Sequence, residues 1–177
     1  RRDIQCVFAG LRPLAAPHDE GKKTREISRS HKIIISPSGL ITVLGGKWTT
    51  YRKMAQEAVD KAIAVANLTA VPCCTANLKI HGWCEGLDFR DHRHVYGSDV
   101  AGIVSLMQDN HELMTLLHPD FPFTRAEVIW SIRHEMARTV EDILARRQRM
   151  LFYNARYSMI IAEDIACLLY TSPSPRD

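Results

Sequence analysis

No stretch of the 177 residues stays apolar for long enough to cross a bilayer: runs such as Ile33-Ile34-Ile35 fall far short of the ~20 residues a spanning helix needs. No secretory-signal pattern opens the residues given. Aromatic residues make up only 7% and nowhere interleave with a concentrated basic face, so a net charge of +3 points away from nucleic acid as a partner. Cysteine is scarce, and its odd count of five predicts reduced thiols in a cytoplasmic setting rather than a disulfide framework. No repeat of fixed period appears. What remains, 46% hydrophobic and 24% charged residues, is the composition of a folded globular chain, either one ordinary domain or two small ones.

Both ends read as cut. Arg1-Arg2-Asp3 leads straight into the apolar run Ile4–Ala9 without an initiator methionine, and Cys167–Asp177 switches from helical periodicity to Ser/Pro. The expectation is a fragment whose residues 167–177 are a non-native tail.

Ile4–Ala9 reads as a strand, followed by a polar loop over 15–24 rich in turn formers. Lys32–Ser36 and Leu40–Leu44 are apolar, β-branched runs around Pro37-Ser38-Gly39, which predicts a hairpin. A helix follows from Thr49 to Ala66, with Tyr51, Met54, Ala55, Ala58, Val59, Ala62, Ile63 and Ala66 on one face. Residues 67–90 show no sustained period and read as a linker. Beyond them the chain is helical at roughly 98–109, 111–118, 125–136, 140–148 and 153–168. Thr124 and Glu127 form a capping-box pattern, and Thr139 can cap the next helix with Glu141 and Asp142 in its first turn. The fold class is therefore α+β. Short strands, a hairpin and one long helix occupy 1–66, and a small α-helical domain occupies 91–166.

The stretch "GLITVLGGKWTTYR" (Gly39–Arg52) carries the chemistry. A strand runs into Gly45-Gly46, which permit positive φ and close approach of a ligand to bare backbone. The helix start that follows offers unpaired N–H groups and the positive end of a macrodipole. Lys47 and the hydroxyls of Thr49 and Thr50 add donors. Such a nest suits a phosphate, or the N1–C2=O edge of a flavin; it also suits a plain strand-to-helix turn whose glycines serve packing. Arg12, at a strand end with Pro13 fixing the backbone beside it, can fork onto a phosphate or carboxylate. Arg29 leads the next strand and is either a second pocket group or a surface arginine.

"AGLRPL" (Ala9–Leu14), "SRSH" (Ser28–His31), "SGLITVLGGKWTTYRKMA" (Ser38–Ala55) and "RHEMARTVEDILARR" (Arg133–Arg147) resemble, in letters, order and spacing, the C-terminal part of FAD-dependent glycerol-3-phosphate dehydrogenases, from about Ile4 to Ala166. The resemblance implies a flavoenzyme of the D-amino-acid-oxidase-like superfamily. It implies oxidation of sn-glycerol 3-phosphate to dihydroxyacetone phosphate, with electrons passed to a membrane quinone. Residues 1–66 would then be the end of an FAD/substrate domain. By position Arg12 resembles the substrate-phosphate arginine and Arg29 a second pocket arginine. Lys47 also falls among the substrate-binding positions. Gly45, Gly46, Lys47, Thr49 and Thr50 resemble the loop at the flavin's pyrimidine edge. Peripheral contact with the cytoplasmic membrane and a homodimer go with this reading. The superfamily's N-terminal G-x-G-x-x-G fingerprint is not among these residues, so the chain carries half an active site.

Other signals are weaker. His134-Glu135 opens like a zinc-protease helix, but Arg138 stands where the second histidine must be. Cys73, Cys74, His81 and Cys84 fit no zinc spacing, which leaves ordinary linker thiols and no metal. His92-Arg93-His94 reads as solvated. His31 is the one candidate base, although a lone histidine beside a strand is more often structural. Arg133, Arg138, Arg146, Arg147 and Arg149 make either a solvated face paired with Glu135, Glu141 and Asp142 or a contact with anionic lipid. Two alternatives stay open: an oxidase that hands electrons to oxygen, and a non-catalytic phosphate-binding module.

Overall fold

The computed structural model describes residues 3–11 and 30–171. The chain divides into two units, Gly10–Lys79 and Ile80–Asp177 together with Arg1–Ala9.

In the first unit, β1 (His31–Ile35) and β2 (Ile41–Gly45) pair antiparallel, from His31 opposite Gly45 to Ile35 opposite Ile41. The turn explains the register. The Gly39 N–H donates to Ser36 O at 2.9 Å with Pro37 at the first central position, and Gly39 then takes φ +84° to bring Leu40 back onto Ser36. That is the turn-plus-bulge of a hairpin whose loop exceeds two residues. A single 3-10 turn, Trp48–Thr50, leads into α1 (Tyr51–Val65). α1 runs back along the hairpin: a side chain at Gly46 would meet Met54, and one at Gly39 would meet Val65. Asn67, at φ +51°, ends the helix, with the Leu68 N–H donating back to Ile63 O at 3.0 Å. This is the six-to-one bond of a left-handed C-cap, with asparagine in the place glycine usually takes. His31 and Ile33 share the half-buried face of β1, whereas Ile34 on the other face is 46% exposed.

The second unit contains every fully buried apolar residue among those described. Its helices are α2 (Val100–Asp109), α3 (Arg125–His134), α4 (Met150–Tyr153) and α5 (Ala155–Thr171). Along α5, Ser158, Ile161, Ile165 and Leu169 repeat at helical spacing and close on Val128, Ile129 and Ile132 of α3 and on Ile143 and Met150. Ile103, Met107 and Ala126 join α2 to α3, with Trp130 lying where Gly102 has no side chain. The capping box at α3 is present: both the N–H and the hydroxyl of Thr124 donate to Glu127, at 2.8 and 3.0 Å. Glu127 has no exposed surface, and its carboxylate also faces His92 Nε2 at 3.1 Å. Arg125 forks onto Asp164 at 2.7 and 3.1 Å, tying α3 to α5.

Several expectations are corrected. Ile4–Ala9 is not a strand; Gln5 is held instead by single bonds, the Ala155 N–H to its backbone carbonyl and Asn154 Nδ2 to its side chain. Among the described residues the only sheet is the hairpin, so this run has no edge to pair with. Residues 111–118 form one 3-10 turn, His111–Met114, because the chain then doubles back before Pro119 and Pro122 to pair Leu116 with Thr124. Asp142–Arg147 is a π-helical turn closed by the Gln148 N–H on Ile143 O, and Thr139 caps it through the Asp142 N–H. α5 runs past 168 to Thr171.

Gly97 separates the 3-10 turns of His92–Asp99 at φ +56°, ψ −124°, and a Cβ there would lie 1.7 Å from the backbone oxygen of Gly82, which accepts the Ser98 N–H. At Gly86, also at positive φ (+72°), a Cβ would meet nothing within 4 Å. Gly97→Ala should therefore lose about 3 kcal/mol or more, from clash plus strain, while Gly86→Ala loses only about 1 kcal/mol. Urea unfolding of the chain followed by circular dichroism measures both. Equal losses would show that the Gly82–Gly97 contact does not need a bare Cα.

Candidate functional site

At the end of β2 the backbone turns through Gly45 (φ +72°) and Gly46 (φ +97°), returns to extended geometry at Lys47, and enters the Trp48–Thr50 turn and α1. The Thr50 N–H and hydroxyl both donate to Lys47 O at 3.0 Å, so the N–H groups of Trp48 and Thr49 precede the first bond of the turn. The first turn of α1 contains no acidic residue. Lys47, Trp48 and Thr49 are exposed, and the Lys47 ammonium has no carboxylate partner among the described residues. Trp48 is 86% exposed and stacks on Tyr51, with centroids 5.5 Å apart.

Two groups turn inward. The Thr50 hydroxyl is committed to Lys47 O and lies 3.5 Å from Met54 Sδ. A Cβ on Gly46 would fall 2.5 Å from the end of the Met54 side chain, so the bare backbone there accommodates α1 from behind. The open side of the cradle is thus made of Gly45, Lys47 and Thr49. An ammonium, free N–H groups and an uncompensated helix start form a donor set that fits an anion, or the electron-rich edge of a flavin. Arg12 and Arg29 lie outside the described residues.

His31 sits opposite Gly45 in the hairpin register, beside the cradle. Its side chain is 17% exposed, and Nε2 is 2.7 Å from Glu57 Oε2 on α1. Lys53 Nζ lies 3.5 Å from the other oxygen of Glu57. The His31 hydrogen bond, aided by the charges of His31 and Lys53, holds the Glu57 carboxyl below its ordinary value. The two residues line an open cleft of about 410 Å³ with Ile33, Asp60 and Lys61. With Nε2 engaged, His31 ties β1 to α1 and has only Nδ1 left for any proton transfer. Glu57 was not legible as its partner, because 26 residues separate the two.

The remaining candidates are held in the fold. His92 is only 24% exposed and binds Glu127, so it is a structural group rather than a solvated one. His94 Nδ1 is 2.8 Å from Asp91 O, His81 pairs with Asp99 at 2.7 Å, and His134 stacks on Trp130. No group of His, Cys, Asp and Glu among the described residues is arranged to hold a metal ion. Arg146 pairs with Glu141 and Asp142, and Arg147 lies near Glu135.

Residues 40–172 match the family described as the C-terminal domain of alpha-glycerophosphate oxidase. The chain belongs to that family. Its relatives include a mitochondrial glycerol-3-phosphate dehydrogenase of Mesocricetus auratus, 37% identical over 87% of this chain and 24% of the relative. A probable mitochondrial glycerol-3-phosphate dehydrogenase of Caenorhabditis elegans is 34% identical over 93% and 26% of the two chains. One of Dictyostelium discoideum, named in the same words, is 33% identical over 86% and 27%. The chain spans about a quarter of the length of these relatives. No solved structure matches it. In this C-terminal domain of a glycerophosphate oxidoreductase family, the cradle from Gly45 to Thr50 falls inside the family match and His31 just ahead of it. No helix among the described residues is long and apolar enough to cross a membrane.

The His31–Glu57 tie has a pH signature. Because the folded carboxyl titrates below its ordinary 4.5, its contribution to stability is present above that pH and is lost as pH falls through the lowered folded value. Glu57→Gln should lower the unfolding midpoint of the first unit at pH 7, and the two proteins should converge by about pH 3. Thermal unfolding followed by Trp48 fluorescence, in a variant whose other tryptophans are Phe, reads this; a difference that persists undiminished in acid would break the assignment.

Proposed function

We propose that the chain is the C-terminal quarter of an FAD-dependent glycerol-3-phosphate dehydrogenase. The observation that carries the proposal is the cradle: two glycines at positive φ, an unpaired Lys47 and a helix start without a carboxylate, in a chain whose relatives are named for that reaction. Gly45, Lys47 and Thr49 would hold the pyrimidine edge of the flavin, with the positive end of α1 aimed at it. FAD, when bound, supplies the acceptor for the hydride leaving C2 of glycerol 3-phosphate.

The chain's own part is electrostatic. Lys47 lies where it can neutralise both the flavin edge and a substrate phosphate, and Arg12 and Arg29 are the further phosphate-binding groups. Gly46 and Thr50 act from behind: the first makes room for Met54, and the second fixes the Lys47 carbonyl and so the direction of the Lys47 backbone. His31 is placed to orient the hairpin against α1 rather than to take the hydroxyl proton, since its Nε2 belongs to Glu57. Electrons would pass on to a membrane quinone, with the protein in peripheral contact with the bilayer and able to form a homodimer. The relatives' names favour the mitochondrion over the cytoplasm for that membrane. A second reading, transfer to oxygen, is favoured by the description of the family as that of an oxidase.

In the enzyme completed with its preceding sequence, Lys47→Met should lower kcat/KM for sn-glycerol 3-phosphate about 10- to 100-fold, the value of one charge-assisted hydrogen bond. Arg12→Ala, which removes a fork, should lower it on the order of 10²–10⁴-fold, with Arg12→Lys recovering only part. Because Lys47 makes no ion pair within the described residues, Lys47→Met should leave Tm unchanged. Steady-state rates with a soluble dye and with a quinone as acceptors, compared with oxygen consumption, test the roles and separate the two acceptor readings. A loss below threefold for both variants would remove Lys47 and Arg12 from the site.

A further inference from the structure

Beyond the end of α1 the chain carries two adjacent free thiols, Cys73 and Cys74, both exposed. They lead into a short 3-10 turn, Thr75–Asn77, which Cys74 precedes as its cap residue. Cys73 differs from every other cysteine of the chain in what surrounds its sulfur. Sγ lies 3.1 Å from the Thr75 hydroxyl and 3.9 Å from Nη1 of Arg52, a residue 21 positions earlier on α1. The same guanidinium nitrogen donates to the Thr75 hydroxyl at 3.2 Å and to Gln56 Oε1 at 3.1 Å, which holds it in place. No other cysteine sulfur among the described residues has a hydroxyl or guanidinium bonded to it.

A hydroxyl and a guanidinium converging on one sulfur favour its charged form, and solvent access leaves it open to attack a reagent. The Cys73 thiol is held below its ordinary 9.0, first by the Thr75 hydroxyl and then by the Thr75 N–H; Arg52 adds to this, and Asp60 on α1 opposes it.

We propose that Cys73 is a redox-modification site, a nucleophilic thiolate that exchanges with low-molecular-weight disulfides. In the exchange the Cys73 sulfur attacks one sulfur of the small disulfide. A new S–S bond forms, the old one breaks, and the second sulfur departs as a thiolate with the electron pair. Cys73 is oxidised to a mixed disulfide, and half of the reagent is reduced to its thiol. Cys74 is poorly placed to resolve that product. Consecutive Cα atoms stand ~3.8 Å apart, below the usual 4.4–6.8 Å of a disulfide, so a ring between the two neighbours is strained. The mixed disulfide therefore accumulates, and Arg52 loses the anion it faces.

The test is competitive labelling of the native chain. Glutathione disulfide is added in limiting amount at pH 7, the reaction is quenched by alkylation, and each cysteine peptide is quantified by mass spectrometry. Cys73 should form its mixed disulfide about tenfold faster than exposed Cys74 or Cys167. Thr75→Val and Arg52→Gln should each slow Cys73 severalfold and move its rate profile to higher pH, while the Cys167 rate stays as an internal reference for the fold. Equal rates at Cys73, Cys74 and Cys167 in the unaltered chain would overturn the proposal without recourse to any variant. So would a Cys73 rate that neither substitution changes.

Discussion

Glu127 is a carboxylate buried where a carboxylate is costly, and much of the second unit is arranged around that fact. Water cannot reach it, so its oxygens must be satisfied from the protein. Thr124 supplies an N–H and a hydroxyl, His92 supplies a ring nitrogen, and the phenol of Tyr96 lies close enough to be pushed far above its ordinary value, by burial first and by Glu127 second. One side chain thereby caps α3, anchors the 3-10 segment ahead of α2 and fixes the angle at which α2 and α3 meet over Ile103 and Ala126. Removing a partner from such a buried charge typically costs about 3–5 kcal/mol, more than a single core methylene contributes.

Nothing comparable holds the first unit. None of its described residues is fully buried, and Ile34, Ile35, Val43 and Leu44 of the hairpin remain partly open to solvent. A two-stranded sheet is marginal in water without a cover for its second face. The hairpin is therefore organised by its turn, by the His31–Glu57 tie and by α1, and the cradle inherits its shape from those three. The second unit has a core of its own and carries no cradle. Rigidity and chemistry are thus assigned to different stretches of the chain.

How much of this could be read from residues alone follows from the range of the interactions. Local ones were legible: Pro37-Ser38-Gly39 gives the hairpin turn, Thr124 with Glu127 the capping box, and Gly45-Gly46-Lys47 the cradle. Interactions across sequence were not. Ile4–Ala9 has the look of a strand, but a strand needs a partner edge, and the run meets only Asn154 and Ala155. His31 showed no sign of Glu57, nor His92 of Glu127, because each partner lies many residues away on a different element. The inward turn of Thr50 depends on Met54 one helical turn on, and letters do not say which way a hydroxyl points. Arg12 and Arg29 rest on resemblance alone.

The π-helical turn at Asp142–Arg147 bears on how this chain can change in length. Such a turn holds one residue more than the α-helical turn it replaces, between ends that stay in nearly the same place. Elsewhere in these helices a deleted residue would rotate everything downstream by about 100° and carry Ile161 and Ile165 away from the core. Here the loss of one residue relaxes the segment to ordinary helical spacing and leaves α4 and α5 in phase. The turn is a stored insertion, and the place where the domain can gain or shed a residue without losing its register.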